Sequence, residues 1–336
     1  MTVRTLTLAT SLVALAAPAF AAEVNIYSYR QPELIQPLLD GFTAETGIET
    51  NVAFIEKGLV ERLKAEGARS PADIILTVDI SRLSEAKEAG VTQAVESETL
   101  NDHIPAALRD TENHWFGVTY RARIVYASKD RVAPGEVTTY EDLADPKWKG
   151  RICTRSGTHV YNIGLLSAVI EHDGAEAAEE WVTGVKANLA KRPEGNDRSQ
   201  VKSIWAGECD ISLGNTYYMG AMLKDPEQAE WANSVRIEFP TFADGSGSHV
   251  NISGVSMTAS APNRDEALAF MEYLASPEAQ AIYANVNNEY PADPETPPSE
   301  LVSSWGKIVP DDTDLTAIAA HRGEALKMME RVNFDG

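Results

Sequence analysis

Residues 24–54, VNIYSYRQPELIQPLLDGFTAETGIETNVAF, decide the fold of this chain. Alternating apolar positions predict one strand over 24–28 and another over 50–54. Between them Pro32 begins a helix whose apolar residues recur at the helical period, and Gly47 ends it. A strand, a helix and a second strand in this order predict a βαβ unit at the start of the fold.

The same alternation of strands and helices continues along the chain. The apolar run over 71–78 predicts a buried strand of parallel-sheet character, between a helix over 56–66 and one that Ser81 caps. Further strands are predicted over 151–154, 209–214 and 254–260. Further helices are predicted over 161–172, 175–190, 197–206 and 262–275, and after Pro277. The fold class is therefore α/β with helices on both sheet faces.

Length and composition predict two globular domains. The chain has 336 residues, of which 43% are hydrophobic and 24% charged, and this argues against disorder. No internal repeat and no Gly/Ser-rich linker divides the sequence. A two-domain chain without such a linker is expected to cross between its domains more than once and to leave a cleft between them.

The charge of the chain excludes two classes of partner. There are 29 Lys and Arg against 50 Asp and Glu, so the net charge is −21. Phosphate backbones and anionic lipids would repel such a chain, which excludes nucleic acid and electrostatic membrane binding. An acidic protein of this kind is expected to be soluble and to tolerate cations.

Residues 1–21 predict a secretory signal peptide. Arg4 precedes an apolar run over 6–17, and Ala19-Phe20-Ala21 offers a cleavage site before Ala22. The alternative is a buried N-terminal helix, and the segment is too short to be a membrane span. We therefore expect an exported protein, and since export favours oxidation, Cys153 and Cys209 are expected to form a structural disulfide.

Signatures of catalysis are scarce, whereas three tyrosines are placed to meet at one site. The sequence contains no Gly-x-Ser-x-Gly elbow, zinc helix or phosphate-binding glycine loop, and its six histidines are scattered. Tyr217 and Tyr218 lie between a predicted strand and a predicted helix, and Tyr161 lies at a similar boundary. In an open α/β sheet that boundary faces the ligand crevice. Phenolate oxygen suits Fe(III) much better than soft metals, although packing at a helix start is the alternative for the pair.

Arginines lie at comparable positions. Arg30 and Gln31 follow the first predicted strand, and Arg121 lies near a predicted crossover between domains. Three phenolates would neutralise a trivalent cation, and an arginine fork could hold a small anion in the remaining coordination positions. Ordinary salt bridges are the alternative for Arg30 and Arg121.

Seven stretches in order resemble the periplasmic ferric-iron-binding proteins, the substrate-binding components of iron(III) ABC importers. They are residues 27–32 (YSYRQP), 70–79 (SPADIILTVD), 115–123 (WFGVTYRAR), 145–150 (DPKWKG), 195–197 (GND), 215–220 (NTYYMG) and 249–254 (HVNISG). The resemblance covers nearly the whole chain after the predicted signal peptide. It implies a two-lobed binding-protein fold of type II, with two mixed-sheet domains and a central cleft. The lobes are expected at 22–122 with about 245–288, and at about 123–244 with 289–336.

The resemblance implies that the iron ligands are Tyr161, Tyr217 and Tyr218. Some members add a His-Tyr pair from the first lobe, but Gln31 and Pro32 stand there in this chain. The chain is therefore similar to the subclass that uses carbonate or a similar synergistic anion. Arg30, Gln31 and Arg121 are then the expected anion contacts, and Tyr29 is expected just behind the ligands.

The expected function is Fe(III) binding in the periplasm and delivery to an inner-membrane ABC permease, by a monomer that is not an enzyme. Two alternatives stay open. The first is a binding protein of the same fold for an oxyanion, a polyamine or a thiamine-like ligand. The second is a periplasmic enzyme on a related fold, which would need an acid–base pair or a nucleophile in the cleft.

Overall fold

A computed structural model describes residues 22–30 and 32–336. The predicted signal peptide and Gln31 lie outside the described residues. Within them no helix is both long and apolar enough to span a membrane.

The secondary structure follows the predicted order. The strands are β1 (Glu23–Ser28), β2 (Glu49–Phe54), β3 (Ile74–Val78), β4 (Thr92–Gln93), β5 (Phe116–Ser128), β6 (Ile152–Cys153), β7 (Ile211–Asn215), β8 (Val235–Glu238), β9 (Val250–Thr258) and β10 (Tyr290–Pro291). The α-helices are α1 (Pro32–Thr46), α2 (Leu59–Glu66), α3 (Ile80–Glu88), α4 (Glu98–His103), α5 (Val160–Asp173), α6 (Ala175–Ala187), α7 (Asp197–Trp205), α8 (Tyr217–Lys224), α9 (Ala229–Ser234), α10 (Arg264–Ala275), α11 (Pro277–Asn287), α12 (Glu300–Ser303), α13 (Leu315–Ala320) and α14 (Arg322–Arg331).

The opening βαβ unit is confirmed. β1 pairs with β2 in parallel, from Glu23 opposite Glu49 to Ser28 opposite Phe54. The apolar face of α1 is buried, and Phe42 on that face packs edge-on against Phe270 of α10 with ring centroids 5.1 Å apart. Local periodicity therefore predicted this region correctly, because burial follows the helical and strand repeats.

One long strand joins the two parts of the fold. The first half of β5 pairs with β9, in the sheet ordered β2-β1-β3-β9-β5. From Arg123 onward β5 pairs instead with β7, and from Val125 also with β8. The short strand β10 pairs with the first half of β5, at Tyr120 and Thr119. β5 thus supplies the predicted crossover near Arg121, whereas the residue bounds of the lobes stay a prediction.

Several elements differ from the prediction: β5 was not predicted as a strand, and β9 begins at Val250 rather than 254. α2 begins at Leu59 rather than 56, because Gly58 adopts a left-handed conformation with φ of 75° just before it. The cap of α3 is Asp79, not Ser81, since its carboxylate accepts a hydrogen bond from the Ser81 N–H. β3 is parallel to β1 but antiparallel to β9, so its apolar run reflects burial on both faces rather than an all-parallel sheet.

The predicted disulfide between Cys153 and Cys209 is present. Their Cα atoms are 5.9 Å apart, and both residues are buried in one apolar cluster beside β6 and β7. The bond therefore ties β6 to the segment that leads into β7, the strand at whose end Tyr217 and Tyr218 lie.

Replacing both cysteines by alanine is expected to lower the free energy of unfolding by roughly 2–4 kcal/mol, because the unfolded chain gains freedom when the cross-link is lost. Urea unfolding followed by far-UV circular dichroism measures this. Wild-type protein treated with a reductant is the control and should lose a similar amount. Equal stability of the oxidised wild type and the double variant would contradict a stabilising role.

Candidate metal centre

The structure brings the three predicted tyrosines together. Tyr161 lies in the first turn of α5, and Tyr217 and Tyr218 begin α8 directly after β7. The hydroxyl oxygens of Tyr161 and Tyr217 are 3.0 Å apart, and the rings of Tyr217 and Tyr218 lie with centroids 4.3 Å apart. All three residues are partly exposed. Two helix starts therefore present three phenols to one accessible place.

A tyrosine hydroxyl is protonated near neutral pH, and burial makes two of these phenols still harder to ionise while no cation is bound. It raises the pKa of Tyr217 well above its ordinary value, and the nearby Tyr161 and Tyr218 raise it further. Burial, followed by Tyr161 and Asp197, raises the pKa of Tyr218 to about 12. A cation bound here must therefore displace phenolic protons, as multivalent metals do from their ligands.

Arginines surround the Tyr161 ring. The guanidinium carbons of Arg121, Arg123 and Arg155 lie 5.8, 5.9 and 5.1 Å from the ring centroid. Their charges favour the anionic form of neighbouring phenols: Arg121 acts to lower the pKa of Tyr217, and Arg155 acts to lower that of Tyr218, although burial outweighs both. The site therefore surrounds the phenolate forms of these tyrosines with positive charge, which stabilises them.

A single buried carboxylate holds two of these arginines. Asp197, at the start of α7, accepts hydrogen bonds from Arg123 Nη1 at 2.8 Å and from Arg155 Nη1 at 3.1 Å. It also accepts from the backbone N–H of Asn215 at 3.0 Å. Arg123 Nη2 donates to Asn162 Oδ1 at 2.6 Å. These contacts hold both arginines near the end of β7 and the start of α5. The three tyrosines lie at the same places in the fold.

The two arginines predicted to contact an anion are both buried, and each is only partly satisfied. Arg30 forms an ion pair with Glu289 and donates to Ser253 Oγ, yet its Nε has no hydrogen-bond partner. Arg121 donates through Nη1 to the Ile252 carbonyl, while its Nη2 is 3.6 Å from Asp79 Oδ2 and makes no hydrogen bond. Buried N–H groups without partners are costly, so both arginines have donors to offer to an acceptor.

The described contacts of Tyr29, the other predicted residue of this group, are with Leu59 and Arg82. Its hydroxyl accepts a hydrogen bond from the Leu59 N–H at 3.3 Å, and the Arg82 guanidinium lies 4.3 Å from its ring centroid. Among the described hydrogen bonds, none joins Tyr29 to Tyr161, Tyr217 or Tyr218. Gln31 is outside the described residues.

Sequence reasoning missed several residues of the site. Arg123 had a usable signal, because it alternates with Arg121 along a strand and so faces the same side. Asp197 lies inside the motif at residues 195–197 but was given no role, and Arg155 and Glu289 were not singled out.

The histidines near the tyrosines are neutral. Burial lowers the pKa of His159 to about 4 and that of His249 to about 3.

The donor set points to a hard cation. In the described part of the chain, no group of three or more His, Cys, Asp or Glu side chains is arranged to hold a metal. A cavity with room for about one water molecule lies beside the tyrosines, lined by Arg121, Arg123, Tyr161, Asn215, His249 and Asn251. Hard phenolate oxygens with arginines around them suit a small, highly charged cation together with an anion.

Comparisons with known proteins show which family this chain belongs to. The model of the family described as bacterial extracellular solute-binding protein matches residues 69–308. Iron uptake protein A1 of Synechocystis sp. is 42% identical over 320 residues, which are 94% of this chain and 89% of that protein.

Two solved structures are also similar over nearly the whole chain. Ferric iron-binding protein A of Mannheimia haemolytica, in an open conformation, has a TM-score of 0.90 at 47% identity, covering 94% of this chain and all of that one. A Trichodesmium protein in complex with iron and citrate ligands has a TM-score of 0.89 at 43% identity, covering 93% of this chain and all of that one. They confirm the predicted two-lobed α/β fold of a type II periplasmic binding protein. This chain therefore belongs to the bacterial extracellular solute-binding protein family, and its relatives there include iron uptake and ferric iron-binding proteins.

Proposed function

We propose that this protein binds Fe(III) in the periplasm through the phenolates of Tyr161, Tyr217 and Tyr218, together with a synergistic anion. The observation that carries the proposal is the 3.0 Å separation of the Tyr161 and Tyr217 hydroxyl oxygens, with the Tyr218 ring packed beside them. Oxygens this close can share one cation. Three phenolates balance the charge of Fe(III), and hard anionic oxygen is the donor type that this ion prefers.

The anion would be carbonate or a similar small species. Arg30 Nε and Arg121 Nη2 are buried donors without partners, and an oxyanion would satisfy both. Gln31 is proposed as a third contact and Tyr29 as a residue behind the ligands. The Trichodesmium relative solved with iron and citrate is consistent with a small carboxylate or carbonate in such a site.

In transport, the protein would act as a monomeric carrier and not as an enzyme. We propose that the two lobes, with the bounds predicted above, close on the iron and that the loaded form docks on an inner-membrane ABC permease. The names of the relatives, which refer to iron uptake and ferric iron binding, favour this role over catalysis. Cleavage before Ala22 would release the mature protein into the periplasm.

The direct test is a titration of the purified protein with a weak Fe(III) chelate, with and without bicarbonate. We expect one equivalent of iron to bind and a visible phenolate-to-iron absorption band to appear. Thermal-shift measurements with phosphate, a polyamine and thiamine test the alternative ligands, since a ligand at 100 times its Kd stabilises the protein by about 2.7 kcal/mol. Stabilisation by one of these without any response to iron would contradict the proposal.

Iron affinity is expected to rise steeply with pH. The pKa values of Tyr217 and Tyr218 lie above their ordinary range, so both phenols must lose a proton when iron binds. The proposal makes phenolates of all three tyrosines, and three released protons make the apparent association constant increase about 1,000-fold per pH unit in this range. Competition with a chelator of known protonation behaviour between pH 6 and 8 measures the slope. A slope of zero would rule out phenolate ligation.

A further inference from the structure

Glu289 is a buried carboxylate on which three separate segments converge. It forms the ion pair with Arg30, which lies between β1 and α1. It accepts a hydrogen bond from Ser253 Oγ of β9 at 2.8 Å and another from Thr119 Oγ1 of β5. All four residues are buried. Burial is the largest influence on the pKa of the Glu289 carboxyl and raises it, but the Arg30 charge and the further contacts together outweigh burial. The pKa is therefore below its ordinary value, and the Arg30–Glu289 pair is ionised.

These contacts fix the orientation of Arg30. Its Nη2 is shared between Glu289 and Ser253, and its guanidinium lies 5.5 Å from the Tyr283 ring centroid. Its unpartnered Nε is left as a donor. An arginine side chain has many rotamers, and a group held in place beforehand loses less entropy when it binds an anion.

Glu289 is also connected to the tyrosine helix. It follows Asn288, which ends α11 in a left-handed conformation with φ of 56°. The Asn288 side chain lies against Gly220 of α8, so closely that a Cβ atom on Gly220 would be 2.4 Å from Asn288 Cγ. The helix that begins with Tyr217 and Tyr218 therefore packs on the residue that precedes Glu289.

We infer that Glu289 is a positioning residue that holds Arg30 in place for the synergistic anion. The inference rests on the proposed function and adds to it a residue that touches neither iron nor anion. Glu289 acts through Arg30. Ser253 supports this arrangement, because its Oγ accepts a hydrogen bond from Arg30 Nη2 and donates one to Glu289.

The test compares wild type with Glu289→Gln, Glu289→Asp and Ser253→Ala. Fe(III) affinity is measured for each variant over a range of bicarbonate concentrations, including none. Glu289→Gln is expected to reduce the bicarbonate-dependent gain in affinity by about 10-fold or more, as loss of outer-shell partners typically does. Affinity without bicarbonate should change less than about twofold. Glu289→Asp keeps the charge and should recover part of the gain, and Ser253→Ala should show a smaller loss without removing a buried charge.

Asp110→Asn is the matched control, because Asp110 is also buried and paired with a cation, Lys87 Nζ at 2.8 Å. It should lower stability without changing the response to bicarbonate. An unchanged or larger bicarbonate gain in Glu289→Gln, an equal loss without bicarbonate, or a wild type indifferent to bicarbonate would each overturn the inference. A wild type that binds no Fe(III) would instead overturn the proposed function.

Discussion

Replacement of both Tyr217 and Tyr218 by phenylalanine is expected to lower Fe(III) affinity by at least about 1,000-fold, since even the loss of one outer-shell partner costs 10–100-fold. The double variant keeps the rings that pack at the start of α8 but removes two of the three proposed ligand oxygens. Chelator competition measures the affinity. The visible absorption band should weaken strongly as well, because it arises from phenolate bound to iron.

The matched control for this experiment is the double variant Tyr27→Phe/Tyr273→Phe. Both residues are buried tyrosines outside the site, and the Tyr27 hydroxyl donates to Glu66. Iron affinity and absorption should stay at the wild-type level. If the Tyr217/Tyr218 variant bound iron as tightly as this control, phenolate ligation by α8 would be excluded, whatever the stability of either protein.

A second large effect is expected from Asp197→Asn, which should lower the free energy of unfolding by about 3–5 kcal/mol. Asp197 is fully buried and is the shared counter-charge of Arg123 and Arg155, whose side chains are 2% and 11% exposed. Removing one member of a buried charge cluster leaves uncompensated charge in a place that water cannot reach. Urea unfolding of the metal-free protein measures the change.

Asp210→Asn provides the comparison, because Asp210 also pairs with two arginines, Arg131 at 2.5 Å and Arg151 at 2.6 Å. These arginine side chains are 38% and 31% exposed, so solvent screens the pairs and we expect a loss of about 1 kcal/mol. Losses of similar size in the two variants would show that burial does not set the contribution of the Asp197 cluster.

Local patterns predicted much of the fold. The helices α1, α5, α6, α7 and α10 begin and end close to their predicted bounds, and α11 begins at Pro277 as predicted, because apolar periodicity and Gly, Pro or Asn signals act over a few residues. β5 was not predicted as a strand, although Arg121 was placed near a crossover. Nearly all of its residues are buried, so it lacks the alternation that marks a strand with one solvated face.

The site was predictable where function follows from position in the fold. Tyr161, Tyr217 and Tyr218 lie at strand–helix boundaries, which face the crevice of an α/β protein. The roles of Asp197 and Glu289 could not be predicted from the sequence, for a different reason. Asp197 pairs with Arg123 across 74 positions and Glu289 with Arg30 across 259, and nothing near either acid marks its partner. Such pairings are properties of the folded chain.

The continuous strand β5 has a mechanical consequence. Arg121 lies in the part that pairs with β9, Arg123 lies two positions later in the part that pairs with β7, and both side chains approach Tyr161. A swing of one sheet relative to the other must bend or twist the backbone at Ala122. If the lobes close as proposed, the same bend would alter the spacing of the Arg121 and Arg123 charges beside Tyr161, so lobe movement and the electrostatics of the proposed iron site would be coupled through one strand.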